Sequence, residues 1–348
     1  MGNRMKTNSK ITNESVQPQY LESARRGNQE AFAQLIEPHR HELLVHCYRI
    51  LGSFEDAEDM LQETLVRAWK HLNTFEERAS LRAWLYKIAT NACLDTLDSR
   101  KRRGLSKELY KRGDPTRPLP TPSQEAVWIE PFPDEMIDGQ PDIYPEARYE
   151  VRESIRLAFV AALQHLPGRQ RAVLLLRDVM GWNADETAEI LEITVASANS
   201  ALQRARETMK KTGHKPLTIH LDEQLSSLLT RYVAAWESAD SAALVAVLRE
   251  DVALTMPPFP VWFGGRADIK TFLDGYLFNS SDPFKVRLVP VRFNGSPAFA
   301  VYQMDSTGFY RAAALHVLTI QDGNINEIND FLTFDGKLFS KFGLPLVV

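Results

Sequence analysis

Apolar positions between residues 29 and 103 recur at the three- and four-residue spacing of amphipathic helices. One stripe consists of Leu61, Leu65, Ala68 and Leu72, and the next consists of Leu81, Trp84, Leu85, Ile88 and Ala92. Ser80 precedes the second stripe, and serine is a favourable helix N-cap. The pattern predicts three or four packed helices in this segment.

Helical spacing resumes at about Val151 and continues to Lys211. Within it, NADETAEILEITVASANSALQRAR (183–206) predicts a short helix, a tight turn and a second helix from about Val195. Such a helix-turn-helix places the start of its second helix in the DNA major groove, whereas a plain helical hairpin is the alternative reading. The outward-facing candidates for DNA contact are Thr194, Ser197, Asn199, Ser200, Gln203, Arg204 and Arg206.

After Pro216 the pattern becomes a mixture of helices and strands. Helices are predicted over Leu225–Glu237, Ala242–Arg249 and Asp268–Tyr276. Strand-like segments cover 285–293, 298–305, 308–320 and 325–334. The turn sequence Gln321-Asp322-Gly323-Asn324 joins the last two as a hairpin. The order indicates an α+β domain.

Residues 104–147 separate the two helical segments and have a different composition. Seven prolines and seven acidic residues, with no Lys or Arg, lie between Pro118 and Glu146. Such a stretch is typical of an extended linker. It also contains the apolar sequence WIEPFPD (128–134), and aromatic residues in a linker indicate a docking segment. A fully solvated linker is the alternative.

Composition excludes several classes of protein. Hydrophobic residues make up 44% and charged residues 25%, as in ordinary soluble domains, and no apolar run exceeds seven residues. The polar first 24 residues lack a secretory signal and are expected to form a flexible tail. Cys47 and Cys93, the two cysteines of the chain, do not make a disulfide framework. A cytoplasmic protein without a membrane partner is expected.

Charge is segregated along the chain. Twenty basic and 16 acidic residues give residues 1–117 a net charge of +4, and residues 118–147 carry −7. Residues 148–215 carry +3, and residues 216–348 carry −4. Basic segments attract the phosphate backbone of nucleic acids, although solvated helical domains would show a similar balance.

Two segments carry a family resemblance. DAEDMLQETLVRAW (56–69) and LRAWLYKIATNACLDTL (81–97) closely resemble region 2 of extracytoplasmic-function (ECF) sigma factors, and residues 163–206 resemble sigma-70 region 4. The resemblance implies contacts with core RNA polymerase by Asp56, Asp59, Gln62, Glu63 and Arg67. It implies −10 promoter contacts by Arg78, Ala79, Ser80, Lys87, Asn91, Arg100, Lys101, Arg102 and Arg103. The outward residues of 194–206 would read the −35 element.

The resemblance also implies a domain layout. Region 2 would occupy 25–103, the acidic Pro-rich linker 104–147, and region 4 148–212. The last domain, 220–348, resembles the SnoaL-like cone fold, and its ending FDGKLFSKFGLPLVV (334–348) resembles that of sigma factors with this appendage. The implied function is an alternative sigma factor that binds core polymerase, recognises and opens promoter DNA, and is modulated by its fused domain.

A pocket carboxylate would support a different function, that of a DNA-tethered SnoaL-like enzyme of isomerase, cyclase or hydrolase type. Pairing Ile320 with Ile325 places Asp330 on an apolar face opposite Leu315 and turns His316 to the other face. Trp262 would wall a pocket for a small-molecule ligand. A structural role for Asp330 is the favoured alternative, and neither a cofactor nor a metal is expected. A repressor-type DNA binder is a third class, which the weakly charged second helix disfavours.

Overall fold

The computed structural model describes residues 18–76, 80–98, 102–125, 127–138, 151–211, 223–278 and 284–348. Its N-terminal body, which we call the first helical domain, packs four helices: α1 (Pro18–Arg25), α2 (Gln29–Leu51), α3 (Phe54–His71) and α4 (Leu81–Leu97). Side chains at the preceding residue cap three of them, because Asn28, Ser53 and Ser80 each accept a hydrogen bond from an N–H in the first turn.

The helix α1 corrects the expected N-terminal tail. Leu21 and Ala24 are buried in the core of the first helical domain, so α1 packs on this domain. This eight-residue segment has only two buried apolar residues among polar ones, and so short a pattern does not predict a helix. Residues 1–17 lie outside the described part of the chain.

The second helical domain contains α7 (residues 151–155), α8 (Leu157–Gln164), α9 (Gly168–Leu174), α10 (Ala184–Ile190) and α11 (Val195–Lys211). As predicted, α10 and α11 form a helix-turn-helix. A capping box between Asn183 and Glu186 begins α10. Glu192 occupies the turn with φ of 54°, in the left-handed region that favours glycine.

Over its described residues, 104–125 and 127–138, the linker packs against the folded domains. It contains two single-turn helices, α5 (Ser106–Leu109) and α6 (Glu135–Asp138). Ile129 and Phe132 are fully buried in the same apolar core as the helical domains. The expectation of an extended tether is therefore wrong for these residues, because tertiary contacts supply the apolar burial that the linker cannot supply by itself.

The C-terminal domain combines a curved sheet with α12 (Glu223–Glu237), α13 (Ser241–Ala246), α14 (Arg266–Phe272) and α15 (Lys337–Lys341). The strands are β1 (Leu248–Thr255), β2 (Trp262–Gly264), β3 (Val286–Phe293), β4 (Ser296–Met304), β5 (Tyr310–Gln321) and β6 (Asn324–Leu332). Their order in the sheet is β2-β1-β6-β5-β4-β3. The sequence missed β1 and β2, and since β1 begins at Leu248, the predicted helix over 242–249 ends early. The β1–β6 pair is parallel, which makes the sheet mixed.

The two faces of this sheet pack against different parts of the molecule. Its inner face covers α12 and α14 and forms the domain's own core. Its outer face joins the core of the two helical domains through Phe293, Ala298, Leu315, Val317 and Phe331. The C-terminal domain is therefore packed on the helical domains through the sheet itself.

Candidate polymerase and promoter interface

A groove of about 510 Å³ runs along α3 and α4 and contains four of the five predicted polymerase contacts. Its lining residues are Asp59, Met60, Gln62, Glu63, Val66, Arg67, Ala92, Asp95 and Thr96. Arg67 donates to Glu63 over 2.6 Å and lies 3.4 Å from Asp95. Val66 is 46% exposed between these charged groups. The groove thus presents an apolar strip with a charged rim, which is the composition of a protein-binding surface.

The fifth predicted contact, Asp56, lies elsewhere. It is buried at the start of α3, where Arg103 donates to its Oδ2 over 3.0 Å. Arg103, predicted to contact DNA, is itself 12% exposed and also lies 3.7 Å from Glu130. In this conformation the two residues are internal partners that hold the linker, and they do not face solvent.

Glu130 of the linker completes this ion-pair network. Its Oε2 accepts from the backbone N–H groups of Phe54 and Glu55 at 3.1 and 3.2 Å, which is favourable because a helix N-terminus attracts negative charge. Lys341 of α15 also donates to Glu130, over 3.1 Å. The acidic linker and the C-terminal ending therefore meet at the first turn of α3.

The predicted −10 residues are only partly described. Arg78, Ala79, Arg100 and Lys101 lie outside the described part of the chain. Ser80 caps α4, and Asn91 is half-buried one turn after Lys87. Lys87 Nζ lies 2.8 Å from Glu192 in the turn of the helix-turn-helix. Exposed Arg102 donates to His165. Lys87 and Arg102 thus bind the second helical domain.

The predicted −35 residues lie along the exposed side of α11. Thr194, Ser197, Asn199, Ser200, Gln203, Arg204 and Arg206 are all exposed. Thr194 caps the helix by accepting from the Ser197 N–H over 3.1 Å. Arg206 makes two hydrogen bonds to Asp178, at 2.6 and 2.8 Å, which fix its guanidinium beside the helix. This face therefore stays open while the two helical domains are in contact.

The contact between the helical domains is well packed. The Arg82 guanidinium lies 5.2 Å from the ring centroids of both Tyr86 and Trp182, and the two rings are 5.6 Å apart. Arg171 of α9 is buried and donates to the carbonyl of Ile50 at the end of α2. Both arginines bridge the domains.

A two-residue turn of the C-terminal domain lies where both helical domains and the linker meet. Asn294, between β3 and β4, is completely buried. Its Nδ2 donates to Tyr48 Oη of α2 over 2.7 Å and to the carbonyl of Ile155 in α7 over 2.6 Å. Its Oδ1 accepts from the Phe132 N–H of the linker over 2.9 Å. One side chain therefore connects both helical domains, the linker and the C-terminal domain.

Gly295 completes the same turn and is required there. Its φ is 62°, and a Cβ atom at this position would lie 2.8 Å from the carbonyl oxygen of Arg152. Its N–H donates to Asp134 of the linker over 2.8 Å. Sequence reasoning missed this turn, although Asn-Gly between apolar runs is a strong hairpin signal. The signal predicts the turn but not that the turn is buried.

The inner face of the sheet contains a buried polar trio, formed by Tyr232, His316 and Asp330. Tyr232 Oη and His316 Nδ1 are hydrogen-bonded at 2.8 Å, and His316 Nε2 lies 3.5 Å from Asp330 Oδ1. Burial lowers the pKa of His316 to about 3 and raises the pKa of Asp330 to about 7. The imidazole is therefore neutral at pH 7.

The structure around the trio corrects two sequence predictions, namely the residue that lies opposite Asp330 and the position of Trp262. Ile320 does pair with Ile325, but a bulge after Thr319 shifts the register, so that His316 and not Leu315 lies opposite Asp330. Trp262 is aligned with Thr255 and through it with Asn329, so it points to the face opposite Asp330. The indole N–H of Trp262 donates to Tyr110 of the linker over 3.1 Å. The structure does not bring Trp262 and Asp330 together.

Comparison with known proteins follows the same three-part division. Sigma-70 region 2 matches residues 35–103, sigma-70 region 4 matches residues 156–209, and a SnoaL-like domain matches residues 229–328. The chain is 42% identical over 325 residues to the ECF RNA polymerase sigma factor SigG of Mycobacterium tuberculosis, covering 92% of this chain and 85% of that protein. The chain belongs to the ECF sigma factor family.

Other relatives of this sigma factor share smaller or more distant parts. SigW of Bacillus subtilis is 26% identical over 194 residues, which cover 55% of this chain and 93% of SigW. The crystal structure of the M. tuberculosis sigma factor SigJ superposes with a TM-score of 0.57 at 22% identity, covering 90% of this chain and 99% of SigJ. That match shows the shared three-part fold. Across the described residues, no helix combines the length and apolar character needed to cross a membrane.

Proposed function

We propose that this alternative sigma factor binds core RNA polymerase through the α3–α4 groove and promoter DNA through α4 and α11, and that its C-terminal domain holds it in a closed state. The buried Asn294 side chain carries the proposal of a closed state. It makes hydrogen bonds to α2, to α7 and to the linker, so the two helical domains cannot separate while Asn294 remains in place.

Closure affects the three candidate surfaces differently. The groove and the outer side of α11 are open, whereas Lys87, a proposed −10 contact, is paired with Glu192. Since strand opening requires cations that track the single strand, a paired Lys87 and a buried Arg103 weaken that step first. The closed state is thus competent for −35 duplex DNA and impaired at the −10 element.

The strength of this closure follows from the number of buried hydrogen bonds. Each buried bond of Asn294 contributes about 0.5–1.5 kcal/mol, and a partner left unsatisfied costs about 1–3 kcal/mol. Because the C-terminal domain is fused to the helical domains, it acts at high effective concentration, and a few kcal/mol are sufficient to populate the closed state.

The test is promoter-dependent transcription with purified core polymerase and the full chain carrying Asn294→Gly. Glycine keeps the left-handed backbone that Asn294 adopts at φ of 53° but removes its three side-chain hydrogen bonds. We expect the variant to initiate at least fivefold more efficiently than the parent chain at limiting promoter DNA.

The matched control is Asp322→Gly, which changes the exposed β5–β6 turn at φ of 52° and lies away from the junction. It is expected to leave transcription unchanged. Equal activity of the parent chain and Asn294→Gly, with both folded, would contradict the closed-state proposal. Failure of every variant to bind core polymerase would contradict the proposed groove contacts.

We infer further that the protein acts by binding rather than by catalysis, and in the cytoplasm, where its proposed polymerase partner works. His316 and Asp330 are both buried, and Trp262 is on the opposite face of the sheet. These facts support a ligand-binding or structural role for the polar trio over the enzyme alternative.

A further inference from the structure

The segment that joins the first helical domain to the linker is rich in basic residues. We call residues 102–112 the basic segment, which contains five basic residues and one acidic residue among 11. The match to sigma-70 region 2 ends at residue 103, so most of the basic segment lies outside that domain. Closely spaced cations with few acidic residues between them attract the phosphate backbone of nucleic acids.

The C-terminal domain neutralises two of these cations. Lys107 donates to Glu327 Oε2 of β6 over 3.0 Å, and Arg112 donates to Asp268 Oδ2 of α14 over 2.9 Å. Arg112 also donates to the carbonyl of Gly264 in β2. Because the acidic partners belong to a different domain from the cations, these pairs exist only while the C-terminal domain is docked on the basic segment.

The two contacts lie in one row across the sheet. Glu327 of β6, Ala253 of β1 and Gly264 of β2 are aligned with one another in three neighbouring strands. Neighbouring strands are about 4.8 Å apart, so the anchor points of Lys107 and Arg112 on the sheet are about 10 Å apart. The basic segment therefore crosses three strands and presents its cations in a line, which is the arrangement that an extended polyanion needs.

Glu327 holds its partner strongly. Its side chain is 4% exposed, and its Oε1 makes no hydrogen bond within the described residues. A buried carboxylate that loses its cation is strongly destabilised. Lys107 therefore becomes available to another anion only when Glu327 is neutralised or when the C-terminal domain moves away from the basic segment.

The cations of the basic segment are nevertheless accessible from solvent. The side chains of Lys107 and Arg112 are 35% and 52% exposed although both are paired. Lys111 is exposed and makes no ion pair within the described part of the chain. An anionic strand that approaches these three side chains competes with Glu327 and Asp268 for two of them.

We propose that the basic segment is a binding site for the phosphate backbone of a DNA strand, and that Glu327 and Asp268 occupy its cations while the C-terminal domain is docked. DNA is the favoured polyanion because the segment begins shortly after α4, which carries Lys87 and Asn91, the proposed −10 contacts. Contacts to phosphates carry no sequence information, so binding is independent of the base sequence. The placement on promoter DNA rests on the proposed function, whereas binding of a DNA strand does not.

The experiment measures binding of fluorescent oligo(dT) and oligo(U) to the full chain by anisotropy, at several salt concentrations and without polymerase. The double variant Glu327→Gln/Asp268→Asn removes both acidic partners and keeps the side-chain shapes. We expect it to bind oligo(dT) at least threefold more tightly than the parent chain at low salt. The slope of log affinity against log salt should steepen by about 1.4, because each phosphate contact on a single strand contributes about 0.7.

The matched control is Glu223→Gln/Asp322→Asn, which removes the same two charges from exposed positions in α12 and in the β5–β6 turn. It is expected to leave the slope unchanged, and an equal gain there would overturn the proposal, since net charge alone would explain it. Adding Lys107→Gln and Arg112→Gln to the first variant should return the slope to that of the parent chain. A gain that persists without these two cations would also overturn the proposal.

A further pair of variants serves if the double variant does not fold. Lys111→Gln removes an exposed cation of the basic segment and should reduce the slope of the parent chain by about 0.7, whereas Lys337→Gln removes an exposed cation of α15 and should leave the slope unchanged. Equal slopes for Lys111→Gln and the parent chain would contradict the proposal.

The two oligonucleotides distinguish the nucleic acids. A gain confined to oligo(U) would overturn the choice of DNA, and a gain with oligo(dT) supports it. Because polymerase is absent, failure of this binding test leaves the proposed sigma function standing. Failure of Asn294→Gly to raise transcription likewise leaves the DNA-binding segment standing.

Discussion

Replacing Asp330 with Asn tests whether the sheet interior disfavours a charged carboxylate. Burial raises the pKa of Asp330 from 3.8 to about 7. Between these pH values the folded protein retains a proton that the unfolded chain has released, so the free energy of unfolding falls as pH rises. A pKa unit corresponds to about 1.4 kcal/mol, so the full penalty above pH 7 is about 4 kcal/mol as an upper value.

Asparagine has nearly the same shape and does not ionise. Asp330→Asn should therefore match the parent chain near pH 4 and exceed its free energy of unfolding at pH 8 by about 2–4 kcal/mol. Urea denaturation at several pH values between 4.5 and 8 measures the difference. Comparing the two chains at each pH cancels the contributions of other titrating groups to the free energy of unfolding. These groups include His316, whose lowered pKa changes the free energy of unfolding mainly below pH 6.5.

The control is Asp322→Asn, which makes the same substitution at an exposed position in the β5–β6 turn. A constant difference between Asp330→Asn and the parent chain at every pH would refute the reasoning. It would mean that Asp330 is charged in the folded protein and that a partner or water compensates for its burial.

Two further substitutions test the ion pairs of the helical domains. Arg103→Ala leaves Asp56 and Glu130 without their shared cation, so we expect it to lower the free energy of unfolding by about 3 kcal/mol in the same urea denaturation. The control is Arg102→Ala, at an exposed position, which should change the free energy of unfolding by less than about 1 kcal/mol. Arg206→Ala should weaken binding of −35 duplex DNA and reduce the slope of log affinity against log salt by about 1, and an unchanged slope would show that Arg206 makes no phosphate contact.

Much of this protein was predictable from local pattern. Helical periodicity, the Ser80 cap and the Asp322-Gly323 turn depend on neighbours within a few residues, so they were placed correctly. The helix-turn-helix was also predictable, because its turn and the buried side chains of both helices lie within 24 residues of sequence (183–206).

The assembly of those elements was not predictable in this way. The bulge at Asn326, which leaves Thr319 opposite Glu327 and Ile320 opposite Ile325, exchanges the two faces of β6 relative to a regular hairpin, and with them the residue opposite Asp330. No local pattern distinguishes the two registers, because both faces of β5 are buried, one against α12 and the other against the helical domains.

The linker and the Asn294-Gly295 turn illustrate the same limit. A polar, Pro-rich segment and a polar turn normally lie in solvent, and both are buried here because partners far along the chain satisfy their hydrogen bonds. The sequence by itself determined the helix-turn-helix, the apolar stripes of α3 and α4 and the strands β3 to β6, because these depend on local periodicity. The tertiary structure decided which polar groups are paired, since that depends on surfaces that meet only when the three domains pack together.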